Sequence, residues 1–279
     1  MTRSVQAGVL VLVAAMVLAG CALPFGADDD TTPTPEPTLS PTPTPTPEPD
    51  DPYPPGVSET ALENSTELLT AHVETITESG YEATAEVNTT AERGGFLIGV
   101  ESFARTTVEE NASAYNEQRQ ALGGPVEQSQ SFWSNSSTEY IRTQENDQVT
   151  YEENETRHQG VLAGRPLIDP FVEGGNFTVQ EVNETADPAE TTLVADEIED
   201  EEALEEGLPS GVQEIEWMNA EMIVDEDGRI LSLEVEVGVI MAGENRIHAV
   251  DYALVEVGDV EVERPDWVDE AEEEAEPRD

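Results

Sequence analysis

Four groups of residues in this 279-residue chain could carry chemistry: Asn in N-x-[ST] triplets, three His, a single Cys and a large excess of carboxylates. Seven of the eleven Asn (Asn64, Asn88, Asn111, Asn135, Asn154, Asn176 and Asn183) open such a triplet with no Pro in the middle. That is the acceptor pattern for N-linked sugar, whose sites must face solvent on the exported side. Asn64, Asn88, Asn135 and Asn183 are therefore expected at loops or element ends. His72, His158 and His248 fall on a helix, in a loop and in a strand, without metal-ligand spacing, so no zinc or catalytic role is assigned to them. The chain has no Gly-rich phosphate loop, nucleophile elbow or H-E-x-x-H motif. Asp225-Glu226-Asp227-Gly228 lacks the flanking acids of a calcium loop and reads as a hairpin turn. Carboxylate pairs occur throughout, so most mark solvated faces. No catalytic residue, metal site or cofactor is expected, and the chain is not read as an enzyme.

Cys21 is the only Cys. Arg3 gives a positive start, Ala7 to Leu18 is an uncharged apolar run of twelve residues, and Leu18-Ala19-Gly20-Cys21 follows. Such a run is too short to span hydrocarbon comfortably and suits the core of a secretory signal. Small residues before a Cys resemble the lipobox of bacterial and archaeal lipoproteins. That resemblance implies cleavage before Cys21 and a thioether link from its thiol to a two-chain glycerol lipid. Each buried methylene contributes roughly 0.8 kcal/mol, so two chains hold a protein stably at a membrane. Residues 1–20 are then the signal, and residues 21–55 are the lipidated Cys with a Pro/Thr-rich stalk. Each Pro fixes φ and removes a donor, so the stalk runs as polyproline II and reaches at most on the order of 85 Å.

Asp and Glu number 62 against 11 basic residues, all Arg, for a net charge of −51. This excludes nucleic acid and anionic headgroups as partners, since no basic patch offsets the field. Such self-repulsion opposes compaction at ordinary ionic strength. At molar salt the Debye length falls to about 3 Å, so a salt-saturated habitat and a haloarchaeal surface are expected. Low hydrophobicity with high charge would also fit disorder. The apolar patterning after residue 56 decides for a fold, and residues 56–279 alone hold 55 of the acids.

Residues 56–267 are read as one globular domain and residues 268–279 as an acidic, unfolded tail. A helix from Thr60 or Asn64 to Ser79 carries Leu62, Leu69, Val73 and Ile76 on one stripe. Asn64 with Glu67 caps it, and Gly80 ends it. Period-two alternation then marks strands at 81–88 and from Phe96, at 126–134, 137–144 and 148–153. Residues 160–175 read as a loop or short helix around Pro166 to Val172, and 196–206 as a solvated helical face. Met218, Ala220, Met222 and Val224 lead into the hairpin turn, and Leu231, Leu233, Val235, Val237, Val239 and Met241 hold one face of the next strand. Three long strands with one apolar face need a cover, for which the first helix and the middle segment are available. The fold class is α+β, a curved antiparallel sheet or half-barrel covered by helices.

A lipobox, a stalk, Tyr53-Pro54-Pro55-Gly56-Val57, a helix, and strands around Val224-Asp225-Glu226-Asp227-Gly228-Arg229-Ile230 resemble haloarchaeal surface lipoproteins of unknown function. Their architecture is similar to that of LolA-like and mycobacterial lipid-carrier lipoproteins, whose half-barrel encloses a cavity for acyl chains. The resemblance implies an extracellular, membrane-anchored chain with an apolar ligand. No ligand residue carries over by position; from the patterning of this chain itself the cavity is expected between the strand face Leu231, Leu233, Val235, Val237, Val239 and Met241, with Met218 and Met222, and the helix residues Leu69, Val73 and Ile76. The alternative is a glycoprotein of the cell envelope that contacts only other envelope proteins.

Overall fold

The computed structural model describes residues 53–93, 96–123, 128–135 and 137–275. The signal, Cys21, the stalk up to residue 52, Ser136 and residues 276–279 of the expected acidic tail lie outside the described residues. Pro49–Asp279 forms one unit.

The first helix, α1 (Ser65–Ser79), starts where the side chain of Asn64 accepts the Glu67 backbone N–H at 3.2 Å. Gly80 ends it, as the sequence predicts. Six strands then run as a meander: β1 (Tyr81–Arg93), β2 (Phe96–Val108), β3 (Ala114–Leu122), β4 (Gln128–Asn135), β5 (Thr138–Glu145) and β6 (Gln148–Glu155). Two helices follow, α2 (Gln159–Leu162) and α3 (Arg165–Gly174). A second run holds β7 (Thr178–Asn183), β8 (Glu190–Ala195), α4 (Glu201–Gly207), β9 (Val212–Asp225), β10 (Ile230–Met241) and β11 (Glu244–Val257). The last helix is α5 (Trp267–Ala275).

Among the described residues the strands form one open antiparallel sheet, ordered β6-β5-β4-β3-β2-β1-β11-β10-β9-β8-β7. Two hairpin-connected arms meet where β1 pairs with β11. The edge strands are β6 and β7, consecutive in sequence, so the segment between them must travel from one edge to the other. It carries α2 and α3 over the inner face and supplies the cover. A twisted sheet this wide curls, since open sheets rarely exceed about ten strands without doing so. The α+β class and the open, helix-covered sheet expected from the patterning are observed.

The core lies between the inner face and the helices. Leu68, Leu69 and Ile76 of α1, Ile168, Phe171 and Val172 of α3, and Leu204 of α4 join Met218, Met222, Leu233, Val235, Val237 and Val239 in one buried cluster. The turn expected at 225–228 brings its hairpin against α1. Gly228 has φ +86°, and a Cβ there would stand 2.7 Å from that of Ala71. Asp225 is buried and spends both oxygens inside the turn, accepting the Asp227 and Arg229 backbone N–H groups and Arg229 Nε at 2.5 Å.

Three expectations need correction. Residues 268–275 are not a loose tail. Val268 and Ala271 of α5 are buried, and Trp267 stacks on Tyr151 of β6 at 6.3 Å, so one apolar stripe outweighs the acids on the other face. Asn88 lies within a strand rather than at an end, because β1 runs to Arg93. The uniform face Leu231 to Met241 holds only in its middle: register shifts at Ile230/Ser232 and Ile240/Met241 leave Leu231 and Met241 half-buried.

Candidate cavity on the inner face

The register across the sheet explains where space opens. Paired in one row across seven strands lie Leu193, Met222, Leu233, Tyr252, Ala85, Ala104 and Arg119. Long side chains fill the inner face over β8 to β11. On β1 and β2 they give way to alanine, while the α2–α3 segment continues overhead. The missing side-chain volume appears as a cavity of about 300 Å³. Its floor is Ala83, Ala85 and Val87 of β1 with Ser102, Ala104 and Thr106 of β2, and its roof is Val161, Leu162, Pro166 and Leu167. Gly164 makes the left-handed turn between α2 and α3 (φ +80°), a conformation that residues with a Cβ rarely adopt, and the turn lies beside the Tyr252 ring.

The two ends differ. Tyr252 of β11 walls the deep end at 4% exposure, and among the described residues its hydroxyl has no hydrogen-bond partner. Burial pushes that hydroxyl up, so it stays a donor. His72 meets the Tyr252 ring edge-on at 6.0 Å. Its Nδ1 accepts the Ile230 backbone N–H at 3.1 Å, and burial pushes its imidazole down to about 4. A neutral imidazole therefore adjoins the deep end.

The other end is charged and partly open. Arg119 is half exposed and Val161 is 43% exposed, and both line the cavity. Glu117, buried beside them, pairs with Arg119 Nε and with Arg157 Nη1, the latter at 2.5 Å. Arg157 Nε also reaches Glu139 at 2.6 Å, and the Tyr115 hydroxyl donates to that carboxylate at 2.6 Å. Both guanidinium groups lie over the Phe132 ring, at 5.1 and 4.1 Å. Two Arg and two Glu balance, which is how charges persist where carboxylates are otherwise expelled from a core.

The residues expected to form a cavity are brought together, but as a packed core. Leu69, Ile76, Met218, Met222, Leu233, Val235, Val237 and Val239 are buried in it, and Val73 packs against it. None of these, nor Leu231 or Met241, lines the cavity on β1 and β2. Sequence reasoning missed the lining because it sought large apolar residues, whereas the signal is the small pair Ala83 and Ala85 facing Ala104. It missed β3 because Asn116 to Gln120 are polar on both faces; the burial of Glu117 depends on Arg157, distant in sequence. Cys21 lies outside the described residues. Of the sequon Asn, Asn64, Asn111, Asn135, Asn154, Asn176 and Asn183 are exposed, and Asn88 is half-buried with its amide donating to Glu86 at 2.7 Å. Among the described residues no group of three or more His, Cys, Asp or Glu could hold a metal ion, and no helix is long and apolar enough to cross a membrane.

Comparison with known proteins gives a family match. The model of the "Family of unknown function (DUF7537)" matches residues 6–271. No curated protein matches the sequence. Among solved structures, a DUF1329 family protein from Desulfovibrio piger is similar at 8% identity and a TM-score of 0.26, over 73% of this chain and 94% of its own. A LolA superfamily protein from Nitrosomonas europaea is similar at 10% identity and a TM-score of 0.26, over 73% and 96%. A beta-barrel-like protein of the domain of unknown function DUF1849 from Brucella abortus is similar at 12% identity and a TM-score of 0.20, over 66% and 99%. Scores this low carry no weight for function.

Proposed function

The chain belongs to the family of unknown function DUF7537, and from its own geometry we propose that it is a non-catalytic binding protein for an apolar ligand. It is held by a lipid on Cys21 at the extracellular face of the membrane and carries N-linked sugar at exposed sequons. One observation carries the binding reading: a cavity of about 300 Å³ between the alanine floor of β1–β2 and the apolar roof of α2–α3. That volume is at the lower end of the roughly 300–1,000 Å³ of ligand pockets, enough for one chain or ring system rather than a whole two-chain lipid. The anchor and export readings rest on the Leu18-Ala19-Gly20-Cys21 motif, and the sugar reading on the seven sequons.

Organic-solvent extraction of the full chain purified from membranes, followed by mass spectrometry, tests the binding reading. One apolar molecule per chain is expected, lost in Ala104→Phe, which fills the floor. Extracts without such a molecule, from a chain that binds no apolar probe, would overturn it. The same spectra should show an N-terminal peptide that begins at lipidated Cys21; a free thiol there removes the anchor. A second reading, an envelope glycoprotein that contacts only protein partners, is favoured by the filled core between α1 and β9–β10. It predicts empty extracts.

A further inference from the structure

The face of the sheet turned away from α1 and α3 has an apolar row of its own. Trp217, Gly238, Ile247, Thr90 and Gly99 pair across five strands, each an odd number of residues from the inner row and so on the opposite face. Trp217 and Ile247 are 37% and 40% exposed. Gly238 gives the indole its place over the sheet, since a Cβ there would run into Nε1 and Cε2 of Trp217. The Thr90 methyl stands over Gly99 in the same way, 2.8 Å from where a Cβ would be. Thr90, Trp217, Gly238, Asn245 and Ile247 are among the residues that line a groove of about 280 Å³.

Thr90 is also the third residue of the Asn88 sequon. Asn88 lies two residues along β1 on the same outer face, in a row with Asn219, Glu236, Ala249 and Glu101. The row beyond it holds Glu221, Glu234, Asp251 and Glu86. Asn88 thus stands between an acidic row and an apolar one. Its amide donates one proton to Glu86 at 2.7 Å, and the second remains for a bond.

We propose that Asn88 carries an N-linked glycan whose first rings lie back along this face, with one pyranose ring stacked on Trp217 and Ile247. This rests on the sugar reading above and gives one sequon a seat on the protein. The link forms on a lipid-phosphate-linked sugar donor: Nδ2 bonds to C1, the C1–oxygen bond to phosphate breaks with its electron pair leaving on the phosphate, and the Nδ2 proton passes to solvent. Ile247 is the diagonal neighbour of Asn88, about 7–8 Å away, and Gly238 is one strand further, so a short oligosaccharide spans the distance. The C–H face of a pyranose covers the indole and Ile247 and releases their water, while its edge hydroxyls stay wet. A second copy of the chain suits the patch poorly. Two exposed side chains are a small part of the roughly 800 Å² that each partner buries in a stable interface, and the acidic row beside them would repel an equally acidic copy.

Peptide mass spectrometry of the full chain, purified from membranes and kept in molar salt, reads the occupancy of each sequon and, after a hydroxyl-radical pulse, the oxidation of each Trp. Sugar is expected on Asn88. Trp217 should oxidise about two-fold faster or more in Asn88→Gln, where the ring face is uncovered, and at an unchanged rate in Asn183→Gln. Thr90→Val removes the sequon but keeps Asn88 and a branched side chain over Gly99, and it should match Asn88→Gln. The natural chain after enzymatic removal of its glycans supplies the same comparison without a substitution. A bare Asn88 beside other occupied sequons overturns the proposal and leaves the sugar reading standing. Sugar on Asn88 with equal Trp217 oxidation in all these chains also overturns it, in favour of a glycan directed to solvent if oxidation is fast, or of a protein covering the face if it is slow. No sugar on any of the seven Asn removes the sugar reading itself.

Discussion

A hydroxyl buried without an acceptor costs roughly 1–3 kcal/mol, and Tyr252 carries one into the ligand-free fold. Tyr252→Phe is therefore expected to raise the unfolding free energy of the extracted chain by about 1 kcal/mol or more. Urea unfolding in molar salt measures it; a loss of stability would mean that the hydroxyl has a partner. Arg157 has the opposite character. It is the shared partner of two buried carboxylates, so Arg157→Met leaves Glu139 without a counter-charge and Glu117 with only the half-exposed Arg119, and should cost about 3–5 kcal/mol. His72 gives the fold a pH dependence. Its folded imidazole is pushed down to about 4 from an ordinary 6.5, so between those values the unfolded chain binds the extra proton. Stability is thus full above pH 6.5 and lost as pH falls towards 4, by on the order of 3 kcal/mol for this group. His72→Asn keeps an acceptor for the Ile230 N–H, and it should remove one proton's worth of slope from unfolding curves across that window.

The ends of α1 were legible because their signals are local. The Asn64 cap and Gly80 are single-residue devices, and the hairpin turn at 225–228 is closed by its own Asp225 and Arg229. Strands with one apolar face were legible for the same reason: β9, β10 and β11 alternate in the sequence itself. The strands β3, β7 and β8 were not, because partners from elsewhere satisfy them. Glu117 of β3 needs Arg157, and β8 (burial alternating along Glu190–Ala195) is too short and Thr-rich to stand out. The α5 helix shows the reverse case. Its acids dominate the composition, yet Val268 and Ala271 hold it on β5 and β6. Truncation after Pro265 should therefore unprotect amides of β5 and β6 in hydrogen exchange while β9 to β11 keep theirs. Uniform loss across the sheet, or none, would show that α5 is not a local clamp.

The whole molecule carries −51, and nearly all of that charge belongs to the residues around this one sheet. Few of the acids are internal: Glu117, Glu139 and Asp225 are buried, and each is tied to an Arg. Among the described residues most of the other acids are exposed, including Glu152, Glu153 and Glu155 on the edge strand β6, where charge discourages pairing with another chain. Repulsion of that density is weak only when the Debye length is short, about 3 Å at molar salt against about 10 Å at a tenth of that. The fold is expected to open on dialysis to low salt and to re-form at molar salt, followed by far-ultraviolet circular dichroism. Stability indifferent to salt would undo the halophilic reading.

The sequence by itself determined the class of the fold, the caps of the first helix, the hairpin turns, the position of the leader motif and the sequons, and the acidic exterior. All of these depend on composition or on residues within a few positions of one another. Only the tertiary structure decided where empty space lies. A void is made by what is missing from a row contributed by seven strands, and no stretch of chain records that Ala85 will stand between Tyr252 and Ala104. The apolar face of β10, so clear in the sequence, is clear because its side chains are large, and large side chains fill the interior they face.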